Sequence, residues 1–328
     1  DIDSYYLYRE NFDFGNAAVD EYQSLFFTIT RLRVDADLTD NVSATVALIN
    51  ERIWGNDENT TSEGNDIDLN LAFVTLREML YSPLTLVIGR QDFRYGNSFI
   101  MDTAGQNRTI NDGALNSVAE DMSKRTALDA IRAILDYNPL TIEAVFAVID
   151  PDTLTLTDAE ADVYLYGVNA NYELGDELDS VVEAYFWKRN DRSNYGTEGE
   201  KADVLKVLGL RGSTNPIERL NLQLEYAYQG GSKRVSAKNN RKRSAHGVQA
   251  IANYTVPLLE EYKPLLSYVY TKVTGQGNTS TSSAKTAKDW TGWDPFFENQ
   301  GGGKIYNTLF DMSNFHIHAL SIQAEPIE

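Results

Sequence analysis

NLQLEYAYQ, residues 221–229, decides how the rest of the chain is read. Leu222, Leu224, Tyr226 and Tyr228 fall on one side of an extended segment, and Asn221, Gln223, Glu225 and Gln229 on the other. Strand side chains alternate faces with period two, so one face is apolar and the other wet. The same beat returns roughly every 20–25 residues between turn or loop residues, and no long amphipathic helix interrupts it. A repeating sheet with one apolar face, in a chain of 328 residues, needs somewhere to put that face. A bilayer takes it if the sheet closes around water, because every strand edge is then paired.

Working outward, the pattern predicts strands over 2–9, 22–38, 41–54, 67–78, 84–94, 126–137 and 140–149. It continues over 161–174, 180–189, 202–213, 219–229, 245–256, 264–274 and 312–324. Short turns are expected at Thr39-Asp40, Tyr137-Asn138-Pro139, Gly175-Asp176-Glu177 and Asn215-Pro216-Ile217-Glu218. Long loops are expected at 55–66, 95–125, 190–201, 230–244 and 275–311. Sorting short turns to one side and long loops to the other is the habit of outer-membrane barrels, with the long loops outside the cell. The fold class expected is therefore all-β: a closed antiparallel transmembrane β-barrel of about 14–18 strands, with short periplasmic turns and long extracellular loops. Residues 1–328 read as one domain without a linker. The ending AEPIE lacks the aromatic residue typical of a closing strand, so further strands are expected either to be missing from this chain or to lie outside the fourteen stretches read here. Within 95–125, GALNSVAEDMSKR reads as a short helix in a loop.

Composition narrows the function classes. No run of about eighteen apolar residues is present, so no helix is expected to span a membrane. The 19 Tyr and 13 Phe, many near strand ends, suit interfacial girdles. Cys is absent, which excludes disulfides, thiolate metal sites and Cys nucleophiles. A net charge of −19 argues against nucleic acid as a partner. Neither nucleophilic triads nor zinc spacings nor phosphate-cradling glycine loops occur; Gly301-Gly302-Gly303 reads as flexibility. The chain reads as non-enzymatic, with no cofactor and no metal; a lipase- or protease-like barrel lacks any suggested Ser–His–acid trio. His316 and His318 share one strand face, a spacing that can hold a metal, but they read better as polar lumen residues.

Charges placed inside strands carry more information. In FTITRLRVDADLT, Arg31, Arg33, Asp35 and Asp37 oppose Leu32, Val34, Ala36 and Leu38. LVIGRQDFRYG sets Arg90, Asp92 and Arg94 on one face, ALDAIRAILDYN sets Arg132 and Asp136 on one face, and LKVLGLRG adds Arg211. Glu51 and Arg52 fall on opposite faces. An Arg or Lys on the lipid face at the bilayer midplane costs about 2–4 kcal/mol, so these charges are expected to face water and each other. They either brace the wall as Arg–carboxylate ladders or form a positive track for an anionic solute. The basic run SKRVSAKNNRKRSAH reads as a solvated loop.

RLRVDADL, NERIWG, DLNLAFVTLRE and LVIGRQDFRYG, the last with Gly89, Arg90, Gln91, Tyr95 and Gly96, resemble the alginate-export outer-membrane barrels. Gly292, Trp293, Asp294, Pro295 and Phe296 add to the resemblance, which runs in order over nearly the whole chain. It implies a monomeric barrel of about eighteen strands with an arginine-rich constriction passing a polyuronate or related anionic sugar. Arg90 and Gln91 match the family's strand motif, and Arg31 and Arg33 its early basic strand. The chain departs in showing fewer strands, and in having 29 Lys+Arg against 48 Asp+Glu, so a neutral oligosaccharide or small molecule stays open as the solute.

The expected function is a passive outer-membrane channel for anionic polysaccharide or small carbohydrate and acidic solutes. The pore-lining candidates are Arg31, Arg33, Asp35, Arg90, Gln91, Asp92, Arg94, Arg132, Asp136 and Arg211. The partners expected are the lipid bilayer with its lipopolysaccharide and the solute. The competing reading is a scaffold barrel that binds periplasmic or envelope proteins. Trp290, Trp293, Phe296 and Phe297 would then serve as a plug or a partner surface, or else stack on sugar rings.

Overall fold

Alternating apolar and polar side chains rule out a helix with one apolar stripe, and the backbone answers with strands throughout. The structure, a computed structural model, describes residues 1–10, 22–54, 67–78, 80–103, 127–150, 163–192, 201–236, 239–258, 260–276, 289–297 and 313–325. The strands are β1 Ile2–Glu10, β2 Tyr22–Thr39, β3 Val42–Ile53, β4 Asp68–Arg77, β5 Leu84–Gln91, β6 Leu128–Asp136, β7 Leu140–Asp150 and β8 Val163–Glu173. They continue as β9 Val181–Asp191, β10 Asp203–Ile217, β11 Leu220–Ser236, β12 Asn239–Arg243, β13 Ala245–Thr255, β14 Leu265–Val273, β15 Asp289–Trp290 and β16 Phe315–Gln323. Consecutive strands hydrogen-bond in the order β1 to β11, then β13, β14 and β16; β12 pairs with β11, and the short β15 runs parallel to β12. All fourteen predicted stretches reappear on that path. Because it is antiparallel with neighbour-to-neighbour connections, the links at 40–41, 78–83, 137–139, 174–180, 218–219 and 256–264 all fall at one end. The longer ones fall at the other. No helix among the described residues is long and apolar enough to cross a membrane, which says nothing about crossing with strands.

Three expectations are corrected. The stretch 230–244 is not a loop: β11 runs on to Ser236 and β12 pairs back against it, with Ser232 opposite Lys242. The turn expected at 215–218 is a strand end, with a register shift between Thr214 and Ile217 that accommodates Pro216, a residue unable to donate to a ladder. β5 stops at Gln91 rather than 94, beyond which Arg94 makes an isolated bridge to Asp102 instead of continuing the ladder; Gly89 within the strand has φ 125°. A Cβ at Gly89 would sit 2.2 Å from the Ala72 carbonyl oxygen, so only glycine fits. The expected helix in 113–125 and Gly301–Gly303 lie outside the described residues.

The chain divides into two compact units. The first comprises Asp1–Met79, Val87–Ala130 and Phe296–Asp311; the second comprises Leu80–Leu86, Ile131–Pro295 and Met312–Glu328. In each, large apolar side chains lie exposed on one face while several polar side chains are buried on the other, beside buried apolar ones. In the first, Leu32, Val34, Leu38 and Leu48 are exposed, while Thr45, Glu51, Asn70 and Gln91 are buried. Among its described residues, buried apolar clusters are formed by Phe27, Ile29 and Ile49 with Tyr5, and by Ala47, Leu71 and Ala127 with Phe73, and Phe93, Phe99, Ile100, Met101, Phe296 and Phe297 are buried as well. In the second unit Leu224 and Tyr226 are 59% and 47% exposed, while Glu225 between them is 4% exposed. Leu208, Leu210 and Phe186 share the exposed face, and Asn169, Glu183, Gln229 and Gln249 the buried one. Water offers no reason to expose the leucines and bury the glutamates; a hydrocarbon surround does. His316 and His318 belong to the exposed face, in line with Leu320 and Ile322 rather than pointing to the polar side, which corrects their expected place.

Candidate functional site

The polar face of β8–β11 in the second unit carries a network whose members come from these four strands. Near the short turns, Asn221 donates to Asn215 at 2.8 Å and Gln223 donates to Asn221 at 2.6 Å. Arg211 bridges Gln223 at 2.9 Å and Glu183 at 3.2 Å, and Asn169 donates to the other Glu183 oxygen at 2.7 Å. Tyr185 donates to Glu225 at 2.7 Å. Above it, aromatic rings lie flat over glycines on the neighbouring strands. Tyr185 covers Gly209 and Trp187 covers Gly167, each directly opposite in register, and a Cβ at either glycine would overlap the ring.

Toward the long-loop end of the same face, Trp290–Pro295 lies against the strands and is locked by Asp294. Its carboxylate accepts from Arg189 at 3.1 Å and Lys233 at 3.2 Å, and pairs with Arg243 at 2.8 Å. Gln229, fully buried, grips the Asp294 backbone from both sides, donating to its carbonyl at 2.7 Å and accepting from its N–H at 2.9 Å. Asp203 completes the cluster, pairing with Lys233 at 3.3 Å and with Arg243. Burial alone would raise the Asp294 carboxyl pKa, but Arg189, Arg243 and Lys233 together hold it well below the usual carboxylate range. Trp293 donates its N–H to the Thr274 carbonyl and is 3% exposed. Sequence reasoning missed this lock. Lys233 and Arg243 lie in the basic run taken for a solvated loop, yet Arg243 is 1% exposed.

In the first unit, 93–103 folds onto itself in the same way. Thr103 and Phe93 exchange backbone and hydroxyl bonds, Ser98 donates to Asp102 at 2.8 Å, and Asp102 donates its N–H to the Phe297 carbonyl. Phe296 and Phe297 are buried here, so these aromatics, like Trp293, are packed inside rather than displayed.

The expected pore-lining residues are placed as follows. Arg31 lies 3.9 Å from Asp92, and Arg33 forks onto Asp35 at 2.9 Å, with Thr45 donating to the same carboxylate at 2.7 Å. Arg90 reaches Asp129 at 3.6 Å and Arg94 reaches Asp102 at 3.9 Å. Arg132 pairs with Glu143 at 3.2 Å, and Arg211 with Glu183 as above. Gln91 is buried, and its side-chain amide faces the carbonyls of Val87, Gly89 and Ala130. Asp136 ends β6 and accepts from the Asn138 N–H in the following turn. Every one of these arginines therefore has a carboxylate neighbour. They differ in openness: Arg33 and Arg94 have 48% and 58% of their side chains exposed, against 20% and 12% for Arg132 and Arg211.

Comparison with known proteins adds the family. The chain is similar in structure to Vibrio cholerae OmpT, an outer membrane protein (12% identity, 84% of this chain and 88% of that one, TM-score 0.39). It is also similar to Salmonella typhi OmpF in complex with daunomycin (9%, 86% and 79%, 0.47) and to the Acinetobacter baumannii outer membrane channel DcaP (10%, 87% and 81%, 0.46). No curated protein matches the chain. The family model for alginate export matches residues 5–326, and the chain therefore belongs to the alginate export family, as a channel of the bacterial outer membrane.

Proposed function

We propose that the strands close into one barrel over residues 1–328 and that the polar face encloses a water-filled passage for an anionic carbohydrate or small acidic solute. The two-faced burial carries this reading: exposed leucines on one face of strands such as β10 and β11, and buried Glu, Gln and Asn on the opposite face of β8, β9 and β11. Transport is passive and breaks no bond. Arg132 and Arg211, tightly paired and shielded, brace the wall; Arg33 and Arg94, open to water, exchange their carboxylates for those of a passing solute. Trp290–Pro295, lying on the polar face, narrows the passage. The scaffold alternative loses its surface, because Trp293, Phe296 and Phe297 are buried within the fold.

The test is planar-bilayer recording of the parent and of the Arg33→Ala/Arg94→Ala double variant in a salt gradient. The double variant is expected to shift its reversal potential away from anions while keeping its conductance. An unchanged reversal potential would relegate both arginines to bracing. A parent that fails to conduct, and whose gel mobility is the same boiled and unboiled, would remove the barrel itself.

A further inference from the structure

On the exposed face of the second unit, two lysines stand directly opposite each other. Lys188 of β9 is in register with Lys206 of β10, and Tyr166 of β8 is opposite Lys188, with the Lys188 ammonium 5.6 Å from the Tyr166 ring centroid. Directly opposed side chains have their Cβ atoms about 4.5–5.5 Å apart, and like charges so placed repel. Among the described residues no carboxylate lies within ion-pair distance of either lysine. Each lies two residues from an exposed apolar residue, Phe186 on β9 and Leu208 on β10, so they share the apolar face and not the polar one. A neighbouring cation on an apolar face is a cost unless an anion meets it.

Position says which anion. Lys188 lies three residues before the end of β9 and Lys206 three after the start of β10, both at the long-loop end and about 10 Å from it along the strand. Further along the same border Lys272 of β14 stands opposite His316 of β16, each next to a long connection. The border is thus cationic and aromatic, above an apolar band, where outward-facing long side chains reach a headgroup layer. The geometry points to a glycolipid phosphate site: Lys188 and Lys206, with Tyr166 beside them, clamp a phosphate of lipopolysaccharide while Phe186 and Leu208 meet its acyl chains. A free phosphate would satisfy the lysines but would have no use for the apolar band beneath. The inference rests on the proposal that this face meets lipid and that the long loops are extracellular.

The experiment uses the full chain in mild detergent and measures bound bis-phosphorylated lipid A by native mass spectrometry over a titration. Lys188→Ala/Lys206→Ala is expected to weaken binding by roughly thirtyfold, about fivefold for each lysine near an anionic surface. Lys188→Arg/Lys206→Arg is expected to retain it, and lipid A lacking one phosphate to bind the parent more weakly. Equal lipid A binding by parent and alanine double variant would overturn the site. Displacement by inorganic phosphate at the same concentration as lipid A would overturn the lipid assignment. The gel shift on boiling, read on the same preparations, separates the two levels. A shifted band with unaltered lipid binding removes only the clamp, and an unshifted parent removes the barrel beneath it.

Discussion

Replacing Asp294 by Asn keeps the side chain's shape and takes away the charge that gathers Arg189, Lys233 and Arg243. Removing one partner of a buried ion pair costs about 3–5 kcal/mol, because the remaining charge is left without its counterion. Here Asp203 still serves Lys233 and Arg243, and Gln229 still holds the backbone of residue 294, so the low end applies. A loss of about 3 kcal/mol lowers the docked-to-undocked ratio of Trp290–Pro295 by roughly 150-fold. Trp290 and Trp293 ride on that segment, so acrylamide quenching of their fluorescence reports it directly. Of the four tryptophans, Trp187 is fully buried and Trp54 is 60% exposed, so a Trp54→Phe background isolates the signal. Asp294→Asn is expected to raise quenching sharply and to widen the single-channel conductance. Unchanged quenching and conductance would refute the claim that this carboxylate holds the segment in place.

Acid should act on the same lock. The Asp294 pKa is depressed in the folded state, so its contribution is present above the unfolded carboxylate range and is lost as pH falls through the lower folded value. Quenching is thus expected to stay flat from pH 7 to the ordinary carboxylate range, about 4, and to rise only in stronger acid; a rise near pH 6 would contradict it. Gly89→Ala should lose most folded protein on a semi-native gel, since the new Cβ meets the Ala72 carbonyl in a backbone conformation that L residues avoid. Arg211→Ala leaves Glu183, 3% exposed, without its cation and should destabilise the fold by about 3 kcal/mol in a urea titration, with reversal potential unchanged. An altered reversal potential there would move Arg211 from the wall to the solute path.

Strand positions and the two-faced character of the sheet were legible because alternation is a local property. Leu224 and Glu225 declare their faces to anyone who counts by two, and the two-faced burial follows once the apolar face is given to lipid. Counting failed where the backbone stopped being regular. β5 ends at Gln91 while Arg94 turns to bridge Asp102, and Pro216 sits in an extended strand rather than a turn. Polarity is no guide to the face of the β16 histidines, which lie on the exposed side with Leu320 and Ile322. At the border of an apolar band, Lys272 and His316 are polar and outward together.

What the residues alone determined is the period-two pattern, and with it the all-β class, the succession of strands and the family. Which charge meets which was decided only by the folded chain. Arg189 and Asp294 are 105 positions apart, and Asp203 and Arg243 are 40 apart. Nothing local couples them; register across β9–β12 and the path of 289–295 bring them within bonding distance. The basic run at 232–246 shows the difference, since its composition suits a solvated loop equally well and only the pairing of β12 with β11 buries Arg243 against two carboxylates.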